Sequence, residues 1–122
     1  MSGVSIMCDK NSLVYLLDGD RDVARFLENK QIYVSIITEL ELFGKRSLSI
    51  ADNEIIESLL ANCFIVDINR EIKQIYKKIK RDYSVRIPNA VVAATAIYLD
   101  FPLLTLGKDF EFIPNLKLMT WK

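Results

Sequence analysis

The chain has 122 residues, of which 51% are hydrophobic, so its length suits one ordinary domain with its own core. It contains no histidine, which excludes histidine general bases, serine–histidine triads and histidine-rich zinc sites. The net charge is zero, but residues 1–69 carry 11 acids and 6 bases while residues 70–122 carry 5 acids and 10 bases, so one molecule can combine an acidic site with a basic surface.

The predicted elements of the first half alternate between strands and helices. In chain order they are a strand at 4–8, helices at 11–17 and 21–28, a strand at 32–36, and a helix at 38–43 closed by Gly44. Ser49 and Asp52 then stand in capping-box spacing. We expect them to open a helix whose apolar positions are Ile55, Ile56, Leu59 and Leu60.

The second half continues the alternation. In chain order it predicts a strand at 64–66, a helix with Ile72, Ile75, Tyr76 and Ile79 on one face, a helix over 89–99 opened by Pro88, and strands at 103–105 and 116–119. The helix over 89–99 is apolar nearly all round, which indicates burial. Together the elements predict an α/β fold with a mostly parallel sheet and helices on both faces.

Polar residues follow the predicted strands at the carboxyl ends, where parallel sheets bind their ligands. Asp9 follows the first strand, Thr38 and Glu41 follow the second, and Thr105 and Asp109 follow the fourth. Carboxylates without a nearby imidazole are the hard oxygen ligands that Mg²⁺ or Mn²⁺ prefers. A metal held in this way can activate water and stabilise charge on a phosphate oxygen, so the pattern indicates phosphodiester hydrolysis.

Four segments resemble, in order and with matching spacing, the four motifs of PIN-domain toxins of the VapC type. They are IMCDKNSLVYLL at 6–17, VSIITELELFG at 34–44, IPNAVVAATA at 87–96 and LLTLGKDF at 103–110. Any one of these motifs is weakly specific, whereas four in register are strongly so. The resemblance covers essentially the whole chain, and it implies one PIN-like domain over 1–122 with a central sheet of about five short strands between helical layers.

The resemblance also implies a site and a function. The acidic pocket would bind Mg²⁺ or Mn²⁺ and carry catalysis through Asp9, Glu41, Asn89 and Asp109. Hydrogen bonds from Asn11, Thr38 and Thr105 would support this pocket. The resemblance implies that this protein is a metal-dependent endoribonuclease and the toxin of a VapBC-like toxin–antitoxin pair. Such a toxin is inhibited by a VapB-like antitoxin, and we expect it to be a homodimer.

Three positions depart from the family pattern. The family usually has Asp where this chain has Asn89, Thr where it has Lys10, and often Asp or Asn where it has Gly107. An amide contributes no charge and takes no proton, so we expect metal binding to be weakened. The sequence leaves two origins of the amide at position 89 open: a natural change, and an engineered substitution that reduces the activity of a toxic nuclease. The alternative function is therefore a catalytically inactive PIN module that docks an antitoxin or RNA.

Each candidate residue also has a structural interpretation. Asp9 has the position of a helix N-cap, Asn89 could satisfy free N–H groups in a first helical turn, and Asp109 could be an ordinary turn acid. The short helix after the second strand is apolar on most sides, so its periodicity does not decide between Glu39 and Glu41. Only the resemblance selects Glu41.

Residues 70–86 carry seven bases and two acids. On a helical projection the bases cluster away from the isoleucine stripe, and four of them are candidates for RNA contact: Lys73, Lys77, Lys80 and Arg81. A solvated surface helix is the other explanation of such a run, and the sequence leaves both open.

Cysteine usage and the first residues predict the compartment. Cys8 and Cys63 lie in separate apolar segments that resemble strands, so we expect buried reduced thiols rather than a disulfide. The start Met1-Ser2-Gly3-Val4 lacks a charged region before an apolar stretch, and we expect a soluble, cytoplasmic protein. A phosphoacceptor receiver domain, another small parallel α/β fold, fits poorly because Asp9 has no acidic neighbour.

Overall fold

The computed structural model describes residues 4–121, which form an α/β fold of five strands and six α-helices. The strands are β1 (Val4–Cys8), β2 (Lys30–Ser35), β3 (Phe64–Val66), β4 (Leu103–Leu104) and β5 (Leu118–Met119). The helices are α1 (Lys10–Leu17), α2 (Arg21–Leu27), α3 (Ile36–Phe43), α4 (Ile50–Leu60), α5 (Arg70–Asp82) and α6 (Ile87–Leu99), and a 3-10 turn spans Lys108–Phe110. None of these helices has the length and apolar character needed to cross a bilayer.

All five strands are parallel and are arranged in the order β3-β2-β1-β4-β5. The register places Ile6 beside Ile32 on one side of β1 and Met7 beside Leu103 on the other. The chain runs outward from β1 to β2 and β3, and it then returns through α5 and α6 to place β4 on the opposite side of β1. Strand order thus reverses at β1 and β4, which makes their carboxyl ends the expected ligand site.

Alternation along β1 builds two cores, one on each face of the sheet. Ile6 and Cys8 belong to a cluster with buried residues of α1, α2, α3 and α4. Met7 belongs to the other cluster, which contains buried residues of α5 and α6. All three side chains are fully buried, so β1 is apolar on both faces, as the sequence predicts for a central parallel strand. The predicted α/β fold class with helices on both faces is confirmed.

Local capping explains where several helices begin. The Ser35 side chain accepts a hydrogen bond from the Ile37 N–H at 3.2 Å, so β2 ends there and α3 starts at Ile36. Ser49 and Asp52 form the predicted capping box of α4, with bonds of 3.0 and 3.1 Å.

Several predicted boundaries were wrong by a few residues. The helix predicted from 38 starts two residues earlier because Ser35 already caps it, and β5 covers only two of the four predicted residues. Cys63 is not in a strand: it lies just before β3, half-buried, where its thiol donates to the Leu59 carbonyl at 3.4 Å. Both cysteines are free thiols, as predicted, and Cys8 is buried.

Candidate active site at the carboxyl edge of the sheet

A cleft of about 140 Å³ opens at the carboxyl ends of β1 and β4. Its lining comes from four separate parts of the chain: Asp9, Lys10, Asn11, Glu41, Arg86, Asn89, Val92, Gly107, Asp109 and Phe110. The cleft therefore gathers the three predicted acids with Asn89 and Asn11. These side chains are far apart in sequence. Asp9 follows β1 and Asp109 follows β4, whereas Glu41 and Asn89 lie on α3 and α6, and the fold brings all of them to one edge of the sheet.

Asp9 is the most enclosed acid of the cleft, with 5% of its surface exposed. Its Oδ1 accepts hydrogen bonds from the Ser12 N–H at 2.8 Å and the Ser12 hydroxyl at 2.7 Å. The same hydroxyl lies 2.8 Å from the Leu104 carbonyl, so its single proton serves one acceptor at a time. Asp9 is thus the N-cap of α1, and the same carboxylate lines the cleft.

Thr105 fixes the other oxygen of this carboxylate. It follows β4, is 5% exposed, and its hydroxyl donates a short hydrogen bond to Asp9 Oδ2. The same hydroxyl oxygen accepts from the Gly107 N–H at 2.8 Å. Two segments that follow neighbouring strands are therefore locked together by a network whose centre is Asp9.

The structure separates the two glutamates of α3. Glu41 lines the cleft beside Asp9, whereas Glu39 lines a different depression together with Phe43 and Glu57. Periodicity could not make this distinction because α3 packs on two sides, and only the resemblance selected Glu41. Ile37 contacts the core cluster of α5 and α6, and Leu42 belongs to the cluster on the opposite face.

Asn89 and Asp109 meet at the outer part of the cleft. The Asn89 side-chain Nδ2 donates to Asp109 Oδ2 at 3.3 Å. The α6 helix begins after Arg86 without a side-chain cap, so Asn89 does not serve the capping role that its position allows. A carboxylate at position 89 would repel Asp109, whereas the amide of Asn89 forms a hydrogen bond with it.

The other supporting residues behave differently from one another. Asn11 is exposed and lines the cleft, but Thr38 does not make the expected hydrogen bond. Its side chain is fully buried one turn before Glu41, directed into the protein, and its hydroxyl has no partner among residues 4–121. Ser12 was missed, although its position three residues after an Asp N-cap is the spacing of a capping interaction.

Two basic residues of the cleft were also missed. Lys10, the first residue of α1, and Arg86, directly before α6, both line it. Lys10 occupies a position of the first motif, directly after Asp9, but its charge departs from the family pattern and gave no sign of a role. Neither periodicity nor a motif marks Arg86, so only the three-dimensional structure identifies it. Three carboxylates and two cations give the cleft a formal charge of −1.

The donor set suits a hard divalent ion, although it is sparse. Carboxylate and amide oxygens line the cleft, yet no three His, Cys, Asp or Glu side chains within the described part of the chain are close enough to surround one ion. Mg²⁺ keeps several waters and is usually held by one or two carboxylates together with substrate phosphates. The residues therefore fit a largely hydrated Mg²⁺ beside Asp9 and do not form a closed metal cage.

The predicted basic face of α5 is only partly available to a ligand. Lys80 Nζ donates to the Val85 carbonyl, and Arg81 forms an ion pair with Asp82 at 2.9 Å. Lys73 and Lys77 are exposed and form no ion pair with any residue from 4 to 121. Two of the four candidate RNA contacts thus already have intramolecular partners.

Comparison with known proteins identifies the family. The family model described as PIN domain matches residues 6–116, so this chain belongs to the PIN domain family. No match was found among curated proteins. Solved structures that contain chains with a similar fold include three from bacterial toxin–antitoxin systems.

The similarity to these structures extends over nearly the full length of each chain. A chain of a toxin–antitoxin complex from Klebsiella pneumoniae has 26% identity and a TM-score of 0.81, with 96% of this chain and 98% of that chain covered. A chain of VapBC2 from Rickettsia felis, bound to a DNA fragment from their promoter, has 20% identity, a TM-score of 0.83 and coverage of 98% and 100%. A chain of VapBC-1 from nontypeable Haemophilus influenzae has 24% identity and a TM-score of 0.81, with 97% of this chain and 98% of that chain covered. The predicted PIN-like fold of the VapC type is confirmed.

Proposed function

We propose that this protein is a Mg²⁺- or Mn²⁺-dependent endoribonuclease and the toxin of a VapBC-like toxin–antitoxin pair. The observation that carries the proposal is the convergence of Asp9, Glu41, Asn89 and Asp109 on one cleft from four separate segments. Membership of the PIN family and the fold of chains in toxin–antitoxin complexes support it.

The residues of the cleft have distinct roles in this proposal. When bound, the metal would polarise a water molecule and offset charge on the scissile phosphate. Asp9 is held rigidly by Ser12 and Thr105, so it would present its carboxylate in a fixed direction. Glu41 and Asp109 would complete the acidic wall and orient water by hydrogen bonds. Asn89 adds an oxygen but no charge, so we expect the metal to be held more weakly than by a fourth acid.

A groove next to the cleft suits the expected antitoxin. It has a volume of about 620 Å³ and lies between α1, the segment after α3, and α4. Its apolar lining includes Val14, Leu17, Leu42, Leu48, Ile55 and Ile56. Lys10 and Glu41 line both the groove and the cleft, so a VapB-like segment seated there would lie against the acids. The expected homodimer stays a prediction.

The test is RNA cleavage by the purified protein with Mg²⁺ or Mn²⁺. We expect cleavage that is lost in EDTA, lost in Asp9→Asn and increased in Asn89→Asp. The Asn53→Asp variant is a matched control because it makes the same chemical change on α4, outside the cleft. Cleavage that persists in EDTA, or that is indifferent to both cleft substitutions, would contradict the mechanism.

The inactive module remains the second candidate, and the Asn89–Asp109 hydrogen bond favours it, since an amide already satisfies an acid there. This candidate predicts that Mg²⁺ and Mn²⁺ leave the thermal unfolding of the protein unchanged while an antitoxin or RNA still binds. If the original chain does not cut RNA but the Asn89→Asp variant does, the inactive module is supported.

A further inference from the structure

Lys10 and Arg86 line the acidic cleft, but within residues 4–121 they form no ion pair with its acids. Both residues are exposed and border the same cleft as Asp9, Glu41 and Asp109. The two ion pairs within residues 4–121, defined by N–O separations up to 4.0 Å, are Arg81–Asp82 and Lys117–Asp100. The cations of the cleft are therefore close to its carboxylates but are not paired with them.

An acidic cleft that acts on RNA has an electrostatic problem. Three carboxylates repel a strand that carries a negative charge at every phosphate. In physiological salt the screening length is about 8 Å, so basic residues elsewhere on the surface do not offset this repulsion inside the cleft. Cations inside the cleft attract the phosphates at the point where the carboxylates repel them. An arginine can hold a phosphate through two parallel N–H donors, and a lysine contributes a mobile point charge.

We propose that Lys10 and Arg86 bind phosphate oxygens of the RNA strand and position a phosphodiester against Asp9 and Glu41. The inference rests on the proposed function and adds two residues that contact the substrate. Their placement supports it, because Lys10 directly follows Asp9 in the chain and Arg86 lies one helical turn before Asn89.

The test is RNA binding in EDTA, where metal-dependent cleavage cannot occur. Fluorescence anisotropy of a labelled single-stranded RNA would be measured over a series of salt concentrations for the original protein, Lys10→Gln and Arg86→Gln. Each variant should weaken binding by roughly two- to fivefold, as expected for one exposed charge contact. Each should also reduce the slope of log affinity against log salt by about 0.7, the value for one lost phosphate contact on a single strand.

Lys117→Gln is the matched control, since it removes the same formal charge. Lys117 directly precedes β5, so it lies at the amino ends of the parallel strands, away from the cleft at their carboxyl ends. It should leave both affinity and slope unchanged. If Lys10→Gln and Arg86→Gln behave like this control, or if the original protein binds no RNA in EDTA, the inference is overturned.

Cleavage in Mg²⁺ separates this inference from the proposed function. If the original protein binds RNA through these two residues but does not cut it, the nuclease proposal fails and the phosphate contacts stand. If it cuts RNA and both variants keep its KM, the nuclease proposal stands and the phosphate contacts are refuted. Thermal unfolding of each variant verifies that the exposed substitutions leave the fold intact.

Discussion

Thr105 donates its hydroxyl proton to the carboxylate of Asp9 across 96 positions of sequence. One residue follows β1 and the other follows β4, and these strands are neighbours in the sheet. The bond joins the two segments at the point where strand order reverses. It also gives a buried carboxylate a donor on the oxygen that Ser12 does not reach. The same contact therefore serves both the stability of the fold and the geometry of the candidate site.

Replacement of Thr105 by valine should destabilise the protein. The change removes a donor from Asp9 and also the acceptor of the Gly107 N–H, so we expect the free energy of unfolding to fall by about 1–3 kcal/mol. Urea denaturation measures this loss. The RNA cleavage rate should fall as well, because the carboxylate loses its fixed orientation.

Thr95→Val provides a matched comparison for this variant. Thr95 is 1% exposed, and its hydroxyl donates to the Val91 carbonyl at 2.7 Å within α6. That carbonyl already accepts a backbone helix bond, so the second substitution should cost less. Equal losses for the two variants would show that the network around Asp9 has no special energetic role.

An acid at position 89 should couple the stability of the protein to divalent metal. In Asn89→Asp, a carboxylate replaces the amide that now donates to Asp109, so two acids face each other. We expect the free energy of unfolding in EDTA to fall by roughly 0.5–1 kcal/mol, and Mg²⁺ or Mn²⁺ to reverse the loss. Thermal unfolding with and without metal measures both effects. A metal response no larger than that of the original chain would contradict the assignment of position 89 to the metal site.

The bases of α5 should divide into two functional groups. Lys73 and Lys77 are exposed and form no ion pair within residues 4–121, so Lys73→Gln and Lys77→Gln should each lower the salt slope of RNA binding by about 0.7. Lys80 instead holds the Val85 carbonyl, near the start of α6. Its replacement by glutamine should lower the free energy of unfolding by about 1 kcal/mol. RNA titration and urea denaturation of the three variants test this division, and a stability loss confined to Lys73→Gln or Lys77→Gln would refute it.

The sequence was sufficient to predict the architecture of the molecule. Alternating apolar segments placed all five strands within a few residues, because each strand is short and bounded by turn residues or by a helix cap. The rule that ligands bind at the carboxyl ends of parallel strands predicted that Asp9 and Asp109 would lie at one edge. Both line the same cleft in the structure.

The details of the site depend on tertiary packing, which local sequence does not encode. The choice between Glu39 and Glu41 follows from how α3 lies against two cores, and the burial of Thr38 has the same cause. Lys10 and Arg86 are exposed residues at helix starts, so no pattern of apolar spacing identifies them. Lys10 follows β1 and Arg86 precedes α6, so their meeting in one cleft becomes visible only in the folded structure.

The free thiols make stability sensitive to alkaline pH. Burial raises the pKa of Cys63 from its ordinary value of 9.0 to about 11. Burial is also the main cause that raises the pKa of Cys8, with smaller contributions from Cys63 and Asp9. A raised pKa in the folded state means that the unfolded chain loses its thiol protons first. The contribution of the thiols to stability is therefore fully retained below pH 9, and it falls as the pH rises from about 9 toward 11.

The Cys63→Ala variant tests this pH dependence. Urea denaturation between pH 8 and 11 should show a smaller decline in the free energy of unfolding than for the original chain, because one titrating thiol is gone. Tyrosines and lysines titrate in the same range, but they are common to both proteins and cancel in the comparison. At pH 8 both cysteines should react slowly with a thiol reagent in the folded protein and rapidly in urea. Equal alkaline declines in the two proteins would be incompatible with a raised pKa at Cys63.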